Sequence, residues 1–168
     1  MNIWRLIPYH IRDRAPELAD WSRQKVVLAI GWGQMKDLRQ YSIQSEAQMK
    51  RLVADTHLRP GYTTNSQVNG GRSLWRFYHE MQEGDLVIIS TSGSRQQTMR
   101  VTGEYYYVPS GEDASHHYEH RRKAEVVPIN PDRLWQFSGK TAPGEGIYST
   151  LVGCARSITE AEVDALIG

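Results

Sequence analysis

Val26-Val-Leu-Ala-Ile-Gly-Trp-Gly-Gln-Met-Lys-Asp-Leu38 runs from five apolar residues into a tryptophan with a glycine on each side, and then into a polar turn. Apolar at successive positions, Val26 to Ile30 reads as a strand covered on both faces rather than one with a wet side. With no side chain on Gly31 or Gly33, the backbone beside Trp32 is free to take unusual dihedrals and to let another molecule approach closely. The indole is then presented as the wall of a pocket. The competing reading is a buried core cap whose glycines serve a tight turn.

Upstream, Ile3 to Ile7 suits a short first strand ended by Pro8, and Asp13 to Gln24 carries Leu18 and Trp21 at helical spacing, with Asp13 as N-cap. Downstream, Ser42 or Ser45 starts a helix that runs to about Thr56. Pro60 to Gly71 is rich in turn formers and reads as a long loop. A helix over Arg72 to Met81 places Leu74, Phe77, Tyr78 and Met81 on one stripe. Leu86 to Ile89 is a third strand, Ser90 to Ser94 a polar turn, and Thr98 to Val108 a fourth strand folded back as a hairpin. Within the fourth strand, Tyr105 and Tyr107 share a face opposite Tyr106. A fifth strand covers Arg122 to Ile129, a short helix Pro131 to Phe137 and a sixth strand Ile147 to Cys154. Thr159 and Glu162 form a capping box for a last helix over Ala161 to Ile167. Short strands interrupted by a few helices predict an α+β protein whose sheet curls into a barrel.

At 168 residues the chain holds one sizeable core, and a single domain over 1–168 is expected. A hydrophobic share of 39% and a charged share of 23% are those of a soluble globular protein. No apolar run approaches the ~20 residues that cross a bilayer, and Met1 to Pro8 turns polar too soon for a signal peptide. A single cysteine, Cys154, excludes an internal disulfide and a multi-cysteine zinc site. Together these features predict a cytoplasmic protein with no membrane partner. The net charge of +1 announces no nucleic acid by itself, so distribution matters more. Arg121-Arg122-Lys123, preceded by His116, His117 and His120, is a local cationic cluster, readable either as a solvated face or as a binding surface beside the pocket.

Enzyme signatures are sparse. Ser90, Ser92 and Ser94 lack the strand-turn-helix setting of a nucleophile elbow, and no Walker sequence or dinucleotide-binding glycine fingerprint follows any strand. The three histidines have near-ligand spacing without a carboxylate pattern to complete a metal motif. No catalytic residue, metal or cofactor is therefore assigned.

Taken in order, Ile30-Gly-Trp-Gly33, Leu74-Trp-Arg-Phe-Tyr-His-Glu-Met81, Glu83-Gly-Asp-Leu-Val-Ile88, Val101-Thr-Gly-Glu-Tyr105 and His120-Arg-Arg-Lys-Ala-Glu125 resemble the EVE-type branch of the PUA-like superfamily, a group related to YTH domains. The resemblance spans roughly Met1 to Ile129 and leaves 130–168 as a C-terminal extension. It implies a PUA-like curled five- or six-stranded β-barrel flanked by helices, with a pocket that accepts a modified nucleobase between aromatic side chains. Trp32 looks like the cage tryptophan of these readers, with Gly33 beside it, and Ser90, Thr91 and Ser92 look like the strand-end loop that floors the pocket. YTH domains carry further cage aromatics after the fourth strand, where this chain offers Tyr105, Tyr106, Tyr107, His116, His117 and Tyr118 instead.

Around that pocket, Trp75 reads either as helix packing or as lining, and Asp37 either as an acceptor for a base edge or as a turn-stabilising residue. Arg72, Arg95, Arg100, Arg121 and Arg122 are the expected phosphate contacts. The expected function is that of a reader of a modified, methylated DNA base, flipped or single-stranded, in a restriction or defence setting where a nuclease or NTPase subunit or domain supplies cleavage. Two alternatives stand beside it: a modified-RNA reader, and an enzyme acting on a nucleoside-like ligand.

Overall fold

β1 (Ile3–Leu6), β2 (Val27–Ile30), β3 (Leu86–Ser90), β4 (Arg95–Tyr107), β5 (His120–Val127) and β6 (Leu151–Gly153) form one sheet in the order β2-β5-β4-β3-β1-β6. The computed structural model describes residues 1–8, 15–56, 64–91, 94–109, 118–146 and 149–167. β1 runs parallel to β3, and every other neighbouring pair is antiparallel. β2 and β6 are the two edges, and no ladder closes them on each other among the described residues. Among these residues, too, no helix is long and apolar enough to cross a membrane.

The helices are α1 (Ala15–Lys25), α2 (Glu46–Thr56), α3 (Thr64–Trp75), α4 (Pro131–Phe137) and α5 (Glu160–Ile167), and α3 continues as a π-helical turn over Arg76–Glu80. On one face of the sheet Leu28, Ile30, Val87, Ile89, Met99 and Val101 join Met49 and Val53 of α2, Leu74 of α3 and Phe77 of the π turn in the main core. On the other, Ile3, Leu86, Ile88 and Val127 pack with Leu134 of α4 and Val163 of α5. Val27 and Ala29 pack there with Leu18 and Trp21 of α1. β2 is buried at all four positions because both of its faces carry a core, as its unbroken apolar run requires.

α3 replaces the loop expected over Pro60 to Gly71 from Thr64 onward. The glycines there are contact residues rather than turn formers. A Cβ on Gly70 would lie 2.7 Å from the Trp32 Nε1, and one on Gly71 would lie 2.5 Å from the Lys50 Cα of α2. Close approach of the Trp32 ring at Gly70 and of α2 at Gly71, not chain reversal, accounts for the pair. Ser45 serves as the start of α2, its Oγ accepting from the Gln48 amide at 3.3 Å. The Asp13 cap lies outside the described residues.

Two bulges shape β4. Val101 pairs with Ala124 but Tyr105 pairs with Arg122, so β4 carries extra residues around Gly103 that bend it across the sheet. A second shift lies where Ile89 meets Gln97 and Ser90 meets Arg95. The expected sixth strand shortens to three residues, yet it ties the C-terminal part of the chain to β1. Beyond it the Ile158 amide donates to the Met1 carbonyl at 3.0 Å. The Thr159 and Glu162 capping box forms as expected, the Thr159 amide donating to Glu162 Oε2 at 2.9 Å.

Candidate functional site

The strand-end turn after β2 is left-handed at the tryptophan and not at its glycines. Trp32 has φ 67 and ψ 36, while neither Gly31 nor Gly33 has a positive φ. The expectation that the glycines absorb the unusual backbone is overturned: Gly33 is small because the Glu119 carboxylate occupies the space of its Cβ. A left-handed tryptophan opposes its own Cβ sterics and must be held from outside. Two bonds hold it, for the Trp32 carbonyl accepts from the Met35 amide at 2.9 Å and lies 2.9 Å from the His120 Nε2. The part-buried indole rests on Gly70 of α3, at the edge of the main core.

His120 sits fully buried at the start of β5, opposite Tyr107. A carbonyl only accepts, so Nε2 carries the proton toward Trp32, and Nδ1 is left to accept from the Tyr105 hydroxyl at 2.8 Å. That hydroxyl accepts in turn from the Leu38 amide at 3.2 Å. With a neutral imidazole every bond in the chain has one donor and one acceptor. Burial lowers the pKa of His120, opposed by its bond to Trp32 and by the charges of Glu119 and Asp37. Tyr107 adds a bond of 3.4 Å from its hydroxyl to the Gly33 carbonyl. Burial raises the pKa of the Tyr105 and Tyr107 hydroxyls, which keeps both protonated.

Next to this network lies a half-open cavity of about 470 Å³, within the range of small-ligand sites. It is lined by Tyr78 and His79 of the π turn, by Met81, Gln82 and Glu83 after it, by Glu104 and Tyr105 at the β4 bulge, by Arg122 of β5 and by Arg39. Tyr78 and Tyr105 meet edge to face with centroids 4.9 Å apart. Arg122 donates to the Phe77, Tyr78 and Gly103 carbonyls at 2.7, 3.0 and 3.3 Å, so it fastens the end of the π turn to the bulge. Burial acts against its charge while Asp85 and Glu104 act for it. Arg39 is exposed and is gripped by Asp37 through bonds of 3.0, 3.1 and 2.6 Å.

The expected pocket residues therefore divide. Trp32, Gly33, Tyr105 and Tyr107 come together around His120 on the main-core face. Asp37 lies near enough to act on the charge of His120, but its carboxylate is taken up by Arg39 and by capping its own short helix. Its turn-stabilising reading is the one the geometry displays. Ser90 follows Ile88 by two positions and so lies on the α4 side of the sheet, its buried Oγ without a hydrogen-bond partner. Thr91 turns back onto Ser94 through an amide-to-carbonyl bond of 2.8 Å. Tyr118 is buried with Trp21 and Val27, its hydroxyl donating to the Pro8 carbonyl. Trp75 packs at the core's edge and donates from Nε1 to Glu80 at 2.8 Å. Ser92, His116 and His117 lie outside the described residues.

The arginines expected at phosphates are occupied within the fold. Arg72 faces Glu46 at 3.3 Å, Arg95 pairs with Asp132, and Arg100 pairs with Glu160 at 3.1 Å. Arg121 and Arg122 are buried, which corrects the reading of this run as a solvated face. Arg121 donates to the Tyr118 carbonyl at 2.8 Å and lies over the Trp21 ring. Strand alternation sends the two to opposite faces, and each satisfies main-chain carbonyls that would otherwise be buried unpaired. Arg39 and Tyr78, which line the cavity, were not singled out by sequence. Tyr78 is masked by its place on a core stripe, and Arg39 by the irregular turn that carries it.

The chain belongs to the family described as Domain of unknown function (DUF8426), whose model matches residues 7–128. No curated protein matches it detectably.

Proposed function

We propose that this member of the family is a nucleic-acid reader of PUA-like, EVE-type architecture, which accepts a modified DNA base, flipped or single-stranded, against Trp32. The observation that carries the reading is the left-handed Trp32 itself. A bulky residue kept at φ 67 costs on the order of 1–2 kcal/mol, and such strain persists only where the surroundings over-determine it. Here His120, Met35 and Gly70 do so, and the indole stays part-exposed. A preset aromatic face suits base stacking, which is worth about 1–3 kcal/mol per base. One buried methyl adds only about 0.8 kcal/mol, so strong selection for a methylated base needs a polar group that the plain base leaves unpaired. Cleavage in a restriction or defence setting would fall to a nuclease or NTPase partner.

The test is titration of labelled DNA oligonucleotides, single-stranded and duplex, carrying methylated, hydroxymethylated or plain bases, with matched RNA strands alongside. The expected result is tighter binding of one modified DNA and a loss of about tenfold or more in Trp32→Ala, in line with the stacking energy. Equal affinity for all strands, unchanged by the substitution, overturns the reading; preference for RNA assigns the site to the other nucleic acid.

A further inference from the structure

The cavity beside Tyr105 does not include Trp32 among its walls, and its lining runs from buried to exposed side chains. Arg122, 6% exposed, is at the buried, inner end of that range. A guanidinium has five N–H groups, and three of those on Arg122 are spent on the Phe77, Tyr78 and Gly103 carbonyls. The remaining two belong to Nη1 and Nη2, the pair of atoms that forms a fork. At the outer end stand the exposed carboxylates of Glu83 and Glu104, which only accept. Glu104 adjoins Gly103, whose carbonyl Arg122 holds. The rings of Tyr78 and Tyr105 also line the cavity, set edge to face so that a flat group entering beside them meets an aromatic surface.

A ligand that satisfies this lining is planar, accepts two hydrogen bonds at its inner edge and donates them at its outer edge. Phosphates and simple carboxylates match the inner end alone and are opposed by the carboxylates at the rim. Among nucleobases, guanine carries the pattern: O6 and N7 accept side by side and pair bidentately with arginine, while N1–H and the N2 amine donate from the adjoining edge. Adenine reverses the group at the six position and so presents a donor toward Arg122. We propose that this cavity is a guanine site, with Arg122 reading O6 and N7 and Glu104 accepting from N1 and N2. The site goes beyond the reading of Trp32 and does not depend on it.

Calorimetric titration of the full chain with GMP, AMP, CMP and IMP tests the assignment. IMP is guanine's nucleotide without the N2 amine. GMP is expected to saturate one site, at least tenfold more tightly than AMP or CMP and several-fold more tightly than IMP. In Glu104→Ala, at an exposed position where the thermal melt is expected to stay that of the native chain, the advantage of GMP over IMP is expected to vanish. Arg122 is left intact because it also anchors the π turn. Absence of saturable GMP binding, equal binding of GMP and AMP, or a GMP advantage over IMP that survives Glu104→Ala each overturns the proposal. Since mononucleotides are titrated without any modified oligonucleotide, a failure here leaves the Trp32 reading standing, and the reverse holds as well.

Discussion

The Nε2 of His120 lies 2.9 Å from the carbonyl oxygen of Trp32, and this one bond fixes both the tautomer of a buried histidine and the left-handed turn of a tryptophan 88 positions away. Protonation would place a second N–H on Nδ1, facing a Tyr105 hydroxyl that already accepts from Leu38. Burial is the larger obstacle to that charge, so the folded state binds this proton less readily than the unfolded chain, whose histidine titrates near 6.5. Stability is fully present above that value and is lost as pH falls below it, by up to about 1.4 kcal/mol per pH unit. Urea unfolding from pH 7.5 down to 5 should give this fall in the native protein and a flatter profile in His120→Gln. His120→Phe, which leaves Trp32 and Tyr105 without their partner, should cost about 2–4 kcal/mol at pH 7.5. The carboxylates held down by their partners, Asp37, Glu46 and Glu162, lose stability only at lower pH, since their unshifted values are 3.8 to 4.5.

Helix propensity alone would make Gly70→Ala and Gly71→Ala stabilising by about 1 kcal/mol each. Contact geometry reverses the sign. At position 71 a Cβ meets the backbone of Lys50 at 2.5 Å, so α2 and α3 must separate, and a loss of about 1–3 kcal/mol is expected. At position 70 it meets the Trp32 ring at 2.7 Å, and a side chain yields more easily than a backbone. Gly70→Ala should cost less and shift the tryptophan emission, while Gly71→Ala should leave that emission unmoved until the protein unfolds. Thermal melts read with fluorescence separate the two.

Periodicity made β2, β3 and the hairpin to β4 legible, because a continuous apolar run and a strict alternation each have one structural meaning. The loop reading fails from Thr64 to Gly71, where Gly70 makes room for the Trp32 ring and Gly71 for α2, and neither carries a local signal of that purpose. Trp32 was recognisable as odd, but the source of its oddity was not. His120 is 88 residues along the chain, and only the register that sets it opposite Tyr107 brings it beneath the turn. The arginines were misleading for a related reason: sequence counts their charge, whereas the acceptors that absorb it, Asp132, Glu160 and the Phe77 carbonyl, come from elsewhere in the fold.

Arg76 and Glu145 bind the C-terminal part of the chain to the π turn. Two parallel bonds of 2.5 Å join them, with side chains 10% and 8% exposed. Glu145 overcomes burial and raises the pKa of Arg76. Without Glu145 the buried guanidinium keeps, among the described residues, only the Leu151 carbonyl at 3.4 Å and Glu80 at 3.8 Å, so Glu145→Ala should cost about 3 kcal/mol, the low end for a broken buried pair. A fragment ending at Ile129 loses Glu145 together with β6, which pairs with β1. It should show no cooperative unfolding transition even though it spans the whole of the family match. A two-state melt of that fragment would show that the extension is dispensable.

Arg121, Arg122 and Lys123 stand in a row in the sequence and have three different physical roles, which single substitutions should separate. Lys123 is exposed, and Lys123→Ala should change stability by no more than about 0.5 kcal/mol. Arg122 reaches three carbonyls on two segments with a planar fork. Lysine keeps the charge but is a compact point donor that cannot span them. With bonds from a charged donor worth about 1.5–3 kcal/mol each and only part of that set replaceable, Arg122→Lys should cost about 2–3 kcal/mol. It should also raise amide exchange at Met81, whose N–H donates to the Arg76 carbonyl at 2.8 Å and closes the π turn. Arg121→Lys loses its bond to Tyr118 and its stacking on Trp21, both on the α1 side, and should leave exchange at Met81 as it was. If both lysine variants raised exchange at Met81 alike, the anchoring of the π turn would not belong to Arg122 and the two guanidiniums would be interchangeable parts of one basic cluster.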